Sequence, residues 1–79
     1  MMKEEEIKDH LMSANPEFRR LVEEHKLYEG QLNELHSRHH LSDQDHIEEV
    51  RLKKKKLQLK DQMNSLIQKF RSELSHQHT

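Results

Sequence analysis

From Phe18 onward, the residues that avoid water fall on a coiled-coil spacing. Phe18, Leu21, His25, Tyr28, Leu32 and Leu35 follow one another in steps of 3, 4, 3, 4 and 3. That spacing lays them along one stripe of an α-helix. His25 is the polar member, and Val22 widens the stripe. A stripe so narrow can be buried only against another helix. The rest of the chain allows little else: of its 79 residues 37% are charged and 30% hydrophobic, with one Gly and one Pro. A small chain this polar cannot fill a round core. The choice lies between disorder and long helices joined along an apolar seam. Scarce Gly and Pro, with abundant Leu, Lys, Glu and Gln, choose the helices.

The expected elements form a single domain over 1–79: a short helix over 3–12, a first long helix over 16–37, a turn over 38–42, a second long helix over 43–72 and a disordered tail over 73–79. Ile7 and Leu11 give the short segment an i, i+4 apolar pair, and Glu4, Glu5 and Glu6 suit a helix N-terminus. Asn15 is a favoured N-cap type, and Pro16 fits the first helical position, where its missing N–H costs nothing. Gly30 weakens the first long helix locally by roughly 0.5–1 kcal/mol relative to Ala. It does not end that helix, because the stripe continues in phase through Leu32 and Leu35. Ser42 can cap the second, with Asp45 three residues on as the return acceptor of a capping box.

The second helix has two apolar sides. One stripe reads Leu52, Lys56, Leu59, Met63, Leu66 and Phe70, in steps of 4, 3, 4, 3 and 4. Ile47, Val50 and Leu57 lie elsewhere, Val50 and Leu57 roughly 150° from the Leu52–Leu59 direction. Either the second side meets a further neighbour, another copy or a partner helix, or the helix shifts its contact side along its length. Both readings stay open.

Two long helices with a short connection pack antiparallel. The expected fold is all-α: an antiparallel two-helix coiled-coil hairpin with a short N-terminal helix. Phe18, Leu21, His25, Tyr28, Leu32 and Leu35 would form its seam with Leu59, Met63 and Leu66. A turn centred near 40–42 sets Leu32 against Val50, His25 against Leu57, and Phe18 against the region of Met63 to Leu66. It also sets Glu29 near Lys53 and Lys54, and Glu23 and Glu24 near Lys56 to Lys60. Residues 67–75 would project past Pro16, and segment 3–12 would fold back over Ile67 and Phe70. Residues 1–40 carry 6 positive and 9 negative charges, and residues 41–79 carry 8 and 6, so the halves are complementary. Each exposed pair adds only about 0–1 kcal/mol, but together they favour this pairing over parallel ones.

Several function classes find no support. The formal net charge of −1 is not the basic excess of a dedicated nucleic-acid binder. With no cysteine, disulfides and thiolate metal sites are excluded. No apolar run approaches the ~18 residues of a membrane span, and the acidic N-terminus lacks a signal-peptide core; a cytoplasmic location is expected. There is no Gly-rich phosphate loop, and two helices offer no water-excluding pocket of enzymatic size. No enzyme, cofactor or small-molecule substrate is therefore expected. His36 and His40 are spaced i, i+4, with His39, Asp43 and His46 near. That matches no strong zinc signature, so a solvated polar turn is the reading preferred to a metal site. His25 is expected to be a satisfied core residue; the alternative is a buried imidazole that resists protonation and senses pH.

The run Lys53-Lys54-Lys55-Lys56 covers 300° of a helix, too wide to face one ligand. Lys56 falls in the apolar stripe and is expected to snorkel. Lys53 and Lys54 would face Glu29, and Lys55 stays free. Arg51, Lys55 and Lys69 share a side without an interleaved aromatic for base stacking. The candidate interaction surface is Val50 and Leu57 with Arg51, Lys53 and Lys55.

"NPEFRRLVEEHKLYEGQLNEL" followed by "DHIEEVRLKKKKLQLKDQMNSLI" resembles the YdcH-like family of small bacterial proteins of uncharacterised function. The likeness covers residues 3–72, most specifically Asn15-Pro16-x-Phe18, Glu24-His25 and "LKKKKLQLKDQM". It implies a helical hairpin with a short N-terminal helix in the bacterial cytoplasm, and no catalytic residues. The histidine-rich turn and the "SHQHT" tail depart from the family pattern. The function expected is a non-enzymatic interaction module that self-associates or takes a helical partner. The alternative is an accessory RNA- or ribonucleoprotein-binding protein that uses Arg51 to Lys60.

Overall fold

The structure is a computed structural model that describes residues 2–77, with side chains through residue 75. Every regular element among the described residues is helical: α1 (Glu4–Ala14), α2 (Pro16–His36) and α3 (Asp43–Gln77). The molecule measures 57 × 19 × 17 Å. A 35-residue helix rises about 52 Å, so α3 sets the long axis.

One residue joins the first two helices. The Asn15 backbone N–H donates to the Leu11 carbonyl at 2.8 Å and closes α1. Its side-chain Oδ1 accepts from the Phe18 N–H at 3.1 Å and opens α2. Pro16 follows at the first helical position, so the chain turns without an unsatisfied donor there. At the other junction, Ser42 and Asp45 cap α3 reciprocally. The Asp45 N–H donates to Ser42 Oγ at 3.1 Å, and the Ser42 N–H donates to Asp45 Oδ2 at 3.0 Å.

The buried residues fall into two clusters. Close to the 37–42 connection, Leu32 and Leu35 of α2 meet Leu52 of α3, with Tyr28 and Leu41 packed on them. At the far end, Ile7 and Leu11 of α1, Phe18 of α2 and Ile67 of α3 converge, with Val22, Met63, Leu66 and Phe70 around them. Here α1 lies over Ile67 and Phe70, and the His10 ring stacks on Phe70 with centroids 4.7 Å apart. Leu21 and Leu59 are buried as well. A chain with so few apolar residues thus reaches a dry core by laying three helices together at one end.

Three expectations need correction. Leu32 shares its cluster with Leu52, not Val50, and Glu29 meets Lys56, not Lys53 or Lys54. The facing register is therefore displaced along α3 by two or three residues. Val50 and Leu57, roughly 150° around α3 from the buried Leu52 and Leu59, are exposed, by 51% and 59%. α1 runs to Ala14 and α3 to Gln77, beyond the limits at 12 and 72. In α3 no Gly or Pro interrupts residues 73–77, and half-buried Leu74 continues the four-residue step after Phe70. Residues 73–77 are thus helical, not a disordered tail, and residues 78 and 79 lie outside the described residues.

Candidate interaction surfaces

The connection between α2 and α3 is held by charge. His36 Nε2 donates to Glu49 Oε2 at 2.5 Å, tying the last residue of α2 to the second turn of α3. Arg38 Nη1 donates to Asp45 Oδ1 at 2.8 Å. The Ser42 backbone N–H is the main reason the Asp45 carboxyl lies below its ordinary value, and the Ser42 hydroxyl and Arg38 add to it. Glu49 is held low chiefly by its hydrogen bond from His36, with help from Lys53. This arrangement bears on the candidate metal residues. α2 stops at His36, so His36 and His40 do not share a helix face. Among the described residues, no three His, Asp or Glu side chains converge to hold a metal ion.

His25 keeps 21% of its side chain exposed, with Nδ1 3.7 Å from Glu29 Oε2. Its ring sits at the seam's margin, with a carboxylate and solvent as neighbours, rather than sealed in the core.

The basic run splays as its 300° arc requires, but its partners differ from expectation. Lys53 Nζ turns along its own helix to Glu49, at 3.7 Å. Lys56 crosses to Glu29 at 3.8 Å, its side chain 34% exposed. Among the described residues, Glu23 and Glu24 form no ion pair with the run. Arg51 is clamped by Glu48 through two bonds, Nη2 to Oε1 at 2.7 Å and Nε to Oε2 at 3.2 Å. That pairing, first through the hydrogen bonds, raises its pKa further. Lys54 and Lys55 are exposed and have no carboxylate within 4.0 Å among the described residues.

The five residues expected to form one interaction surface do not do so. Arg51 and Lys55 line a shallow depression of about 600 Å³, joined by Tyr28 from α2, Lys54 and Leu57. Lys53 lines a longer groove of about 1130 Å³ on the other side, between α2 and α3. Leu57 borders both. Outward along α3, Ile47 (69%), Val50 and Leu57 form an exposed apolar row. Of the expected seam, Phe18, Leu21, Leu32, Leu35 and Leu59 are buried, and His25, Tyr28, Met63 and Leu66 are half-buried. Sequence reasoning left Ile67 out of the seam, although it did set segment 3–12 over Ile67 and Phe70, where α1 lies. It also missed the grouping of Lys8, Lys26 and Lys60 beside the groove; Lys60 lies i+7 from Lys53, but placing Lys8 requires α1 to be docked.

Among the described residues these features define a small all-helical protein with two open surface grooves. It belongs to the DUF465 family of proteins of unknown function, whose family model matches residues 18–67; the YdcH-like proteins belong to the same family. No curated protein and no solved structure matches the chain. The matched span opens on Phe18 and closes on Ile67, which meet in the three-helix cluster. α1, which completes that cluster, lies outside it.

Proposed function

We propose that the chain is an antiparallel helical hairpin that acts as a non-enzymatic interaction module in the cytoplasm and self-associates through the outer face of α3. The observation that carries this reading is the exposed row Ile47, Val50 and Leu57. They are large apolar side chains that intramolecular packing covers only in part. Burying the row against its counterpart in a second copy removes apolar surface from water at about 25 cal/mol per Å². A two-fold contact also needs only one self-complementary patch. The hairpin itself is supported by Glu29–Lys56 and His36–Glu49, both bridging α2 and α3, with the more distant Phe18–Ile67 contact beyond them. Sedimentation equilibrium tests the proposal. A dimer or larger species is expected, reduced to monomer by Val50→Glu, whereas a wild-type monomer at high concentration contradicts self-association.

The second reading, contact with RNA, is favoured by Tyr28. α2 brings this aromatic ring beside Arg51, Lys54 and Lys55, the combination of stacking surface and cations that single-stranded nucleic acid uses. No aromatic within the lysine run itself would supply it.

A further inference from the structure

The groove on the Lys53 side of the molecule differs in chemistry from the outer row of α3. Its lining lysines are Lys8, Lys26, Lys53, Lys56 and Lys60, against the one carboxylate of Glu29. Glu29 is engaged by Lys56, and Lys53 is turned to Glu49. Lys8, Lys26 and Lys60 remain, exposed and without a carboxylate within 4.0 Å among the described residues. They come from α1, α2 and α3 in turn, so the basic rim exists only when all three helices are assembled. The groove between them is mainly apolar, with Met12, Val22 and Met63 beside Phe18 and Ile67, and Asn33 and Asn64 as its uncharged polar amides.

Gly30 lines the same groove. It has no positive φ, and a Cβ built on it would meet nothing within 4 Å. The fold of this chain therefore does not require glycine there, although glycine weakens the helix. A bare backbone position on a groove wall does allow a second backbone to approach closely.

We propose that this groove is a docking site for an acidic amphipathic helix of a partner protein. Apolar side chains of such a helix would lie along Val22 and Met63, its carboxylates would reach Lys8, Lys26 and Lys60, and its backbone would pass near Gly30. From Phe18 to His36 the groove follows α2 for about 27 Å, enough for a helix of roughly five turns. At about 1130 Å³ it exceeds the ~300–1,000 Å³ of small-molecule pockets. Nucleic acid fits it less well, because Phe18 is 2% exposed and offers no open ring face for a base. The groove shares Leu57 with the outer row of α3 but includes neither Ile47 nor Val50, and its basic rim has no part in the proposed self-association.

The test uses the full chain and a labelled five-turn helical peptide of Leu and Glu with an apolar stripe. Its controls are the same peptide with Lys in place of Glu, and a single-stranded oligouridine. Fluorescence anisotropy should show that the acidic peptide binds, more tightly as salt falls. Lys26→Glu with Lys60→Glu should weaken that binding about tenfold or more. Gly30→Leu should weaken it while the melting temperature does not fall, which a purely structural role for Gly30 would not produce. The proposal is overturned if the acidic peptide binds no better than the basic one or the charge variants bind it unchanged. Tighter binding of the oligouridine, abolished by the same lysine substitutions, overturns it equally.

Discussion

The ammonium of Lys56 stands 3.8 Å from the Glu29 carboxylate, reaching from within the basic run of α3 to α2. That contact changes what the run means. One lysine of the four is spent across the helices, and Lys53 is spent along its own helix on Glu49. What looks in sequence like a single patch of charge is divided between two faces of the molecule. Lys54 and Lys55 lie on one, beside Tyr28, and Lys53 and Lys60 on the other, beside the groove.

The two apolar sides of α3 should respond differently to truncation. Ile67 is 2% exposed in the three-helix cluster, so Ile67→Ala should cost about 2–5 kcal/mol. Val50 keeps 51% of its surface exposed, so Val50→Ala should shift monomer stability by only about ±0.5 kcal/mol. Chemical denaturation at a concentration where the chain is monomeric checks both.

Gly30→Ala should stabilise the folded chain. A Cβ there meets nothing within 4 Å, and Ala exceeds Gly in helix propensity by about 0.8–1.0 kcal/mol. For a chain of this size that corresponds to a rise of roughly 4–8 °C in Tm, measurable by circular dichroism.

Acid should loosen the α2–α3 connection. Asp45 and Glu49 are held below their ordinary values of 3.8 and 4.5. Their contribution to stability is therefore complete above those ordinary values and is lost as pH falls through the lower folded-state values. Asp45→Asn with Glu49→Gln should lower Tm near neutral pH, and its deficit against the wild type should shrink below about pH 4. A deficit that stays constant with pH would mean that these carboxylates contribute nothing through their charge.

Contact with RNA should depend on the Tyr28 side of α3. Lys54→Glu with Lys55→Glu should abolish any salt-sensitive binding of single-stranded RNA, and Tyr28→Ala should weaken it by about 1–3 kcal/mol. Binding that survives both variants would place the RNA elsewhere.

Angular position was legible in the sequence and axial position was not. Residue spacing fixes the direction of a side chain around a helix, which is why the Phe18–Leu35 stripe and the separation of Val50 and Leu57 from the Leu52–Leu59 side are legible, though not which of the two sides meets α2. Caps are local, so Asn15-Pro16 and Ser42–Asp45 carried their own signals. How far one helix slides along another depends on the path of residues 37–42, where Leu41 folds onto the Leu32–Leu52 cluster. No pattern in the chain encodes that slide, so Leu32 was set against Val50 and Glu29 against Lys53. The groove was hidden for the same reason: Lys8, Lys26 and Lys60 are far apart in sequence and become neighbours only once α1 lies across the other two helices.

The central proposal is that the outer row of α3 is a contact between copies, and sedimentation equilibrium of the wild type beside Val50→Glu tests it most directly. A reversible dimer or larger species is expected for the wild type, with Val50→Glu monomeric and equally helical. A monomeric wild type across the whole concentration range, or association unchanged by Val50→Glu, would contradict it.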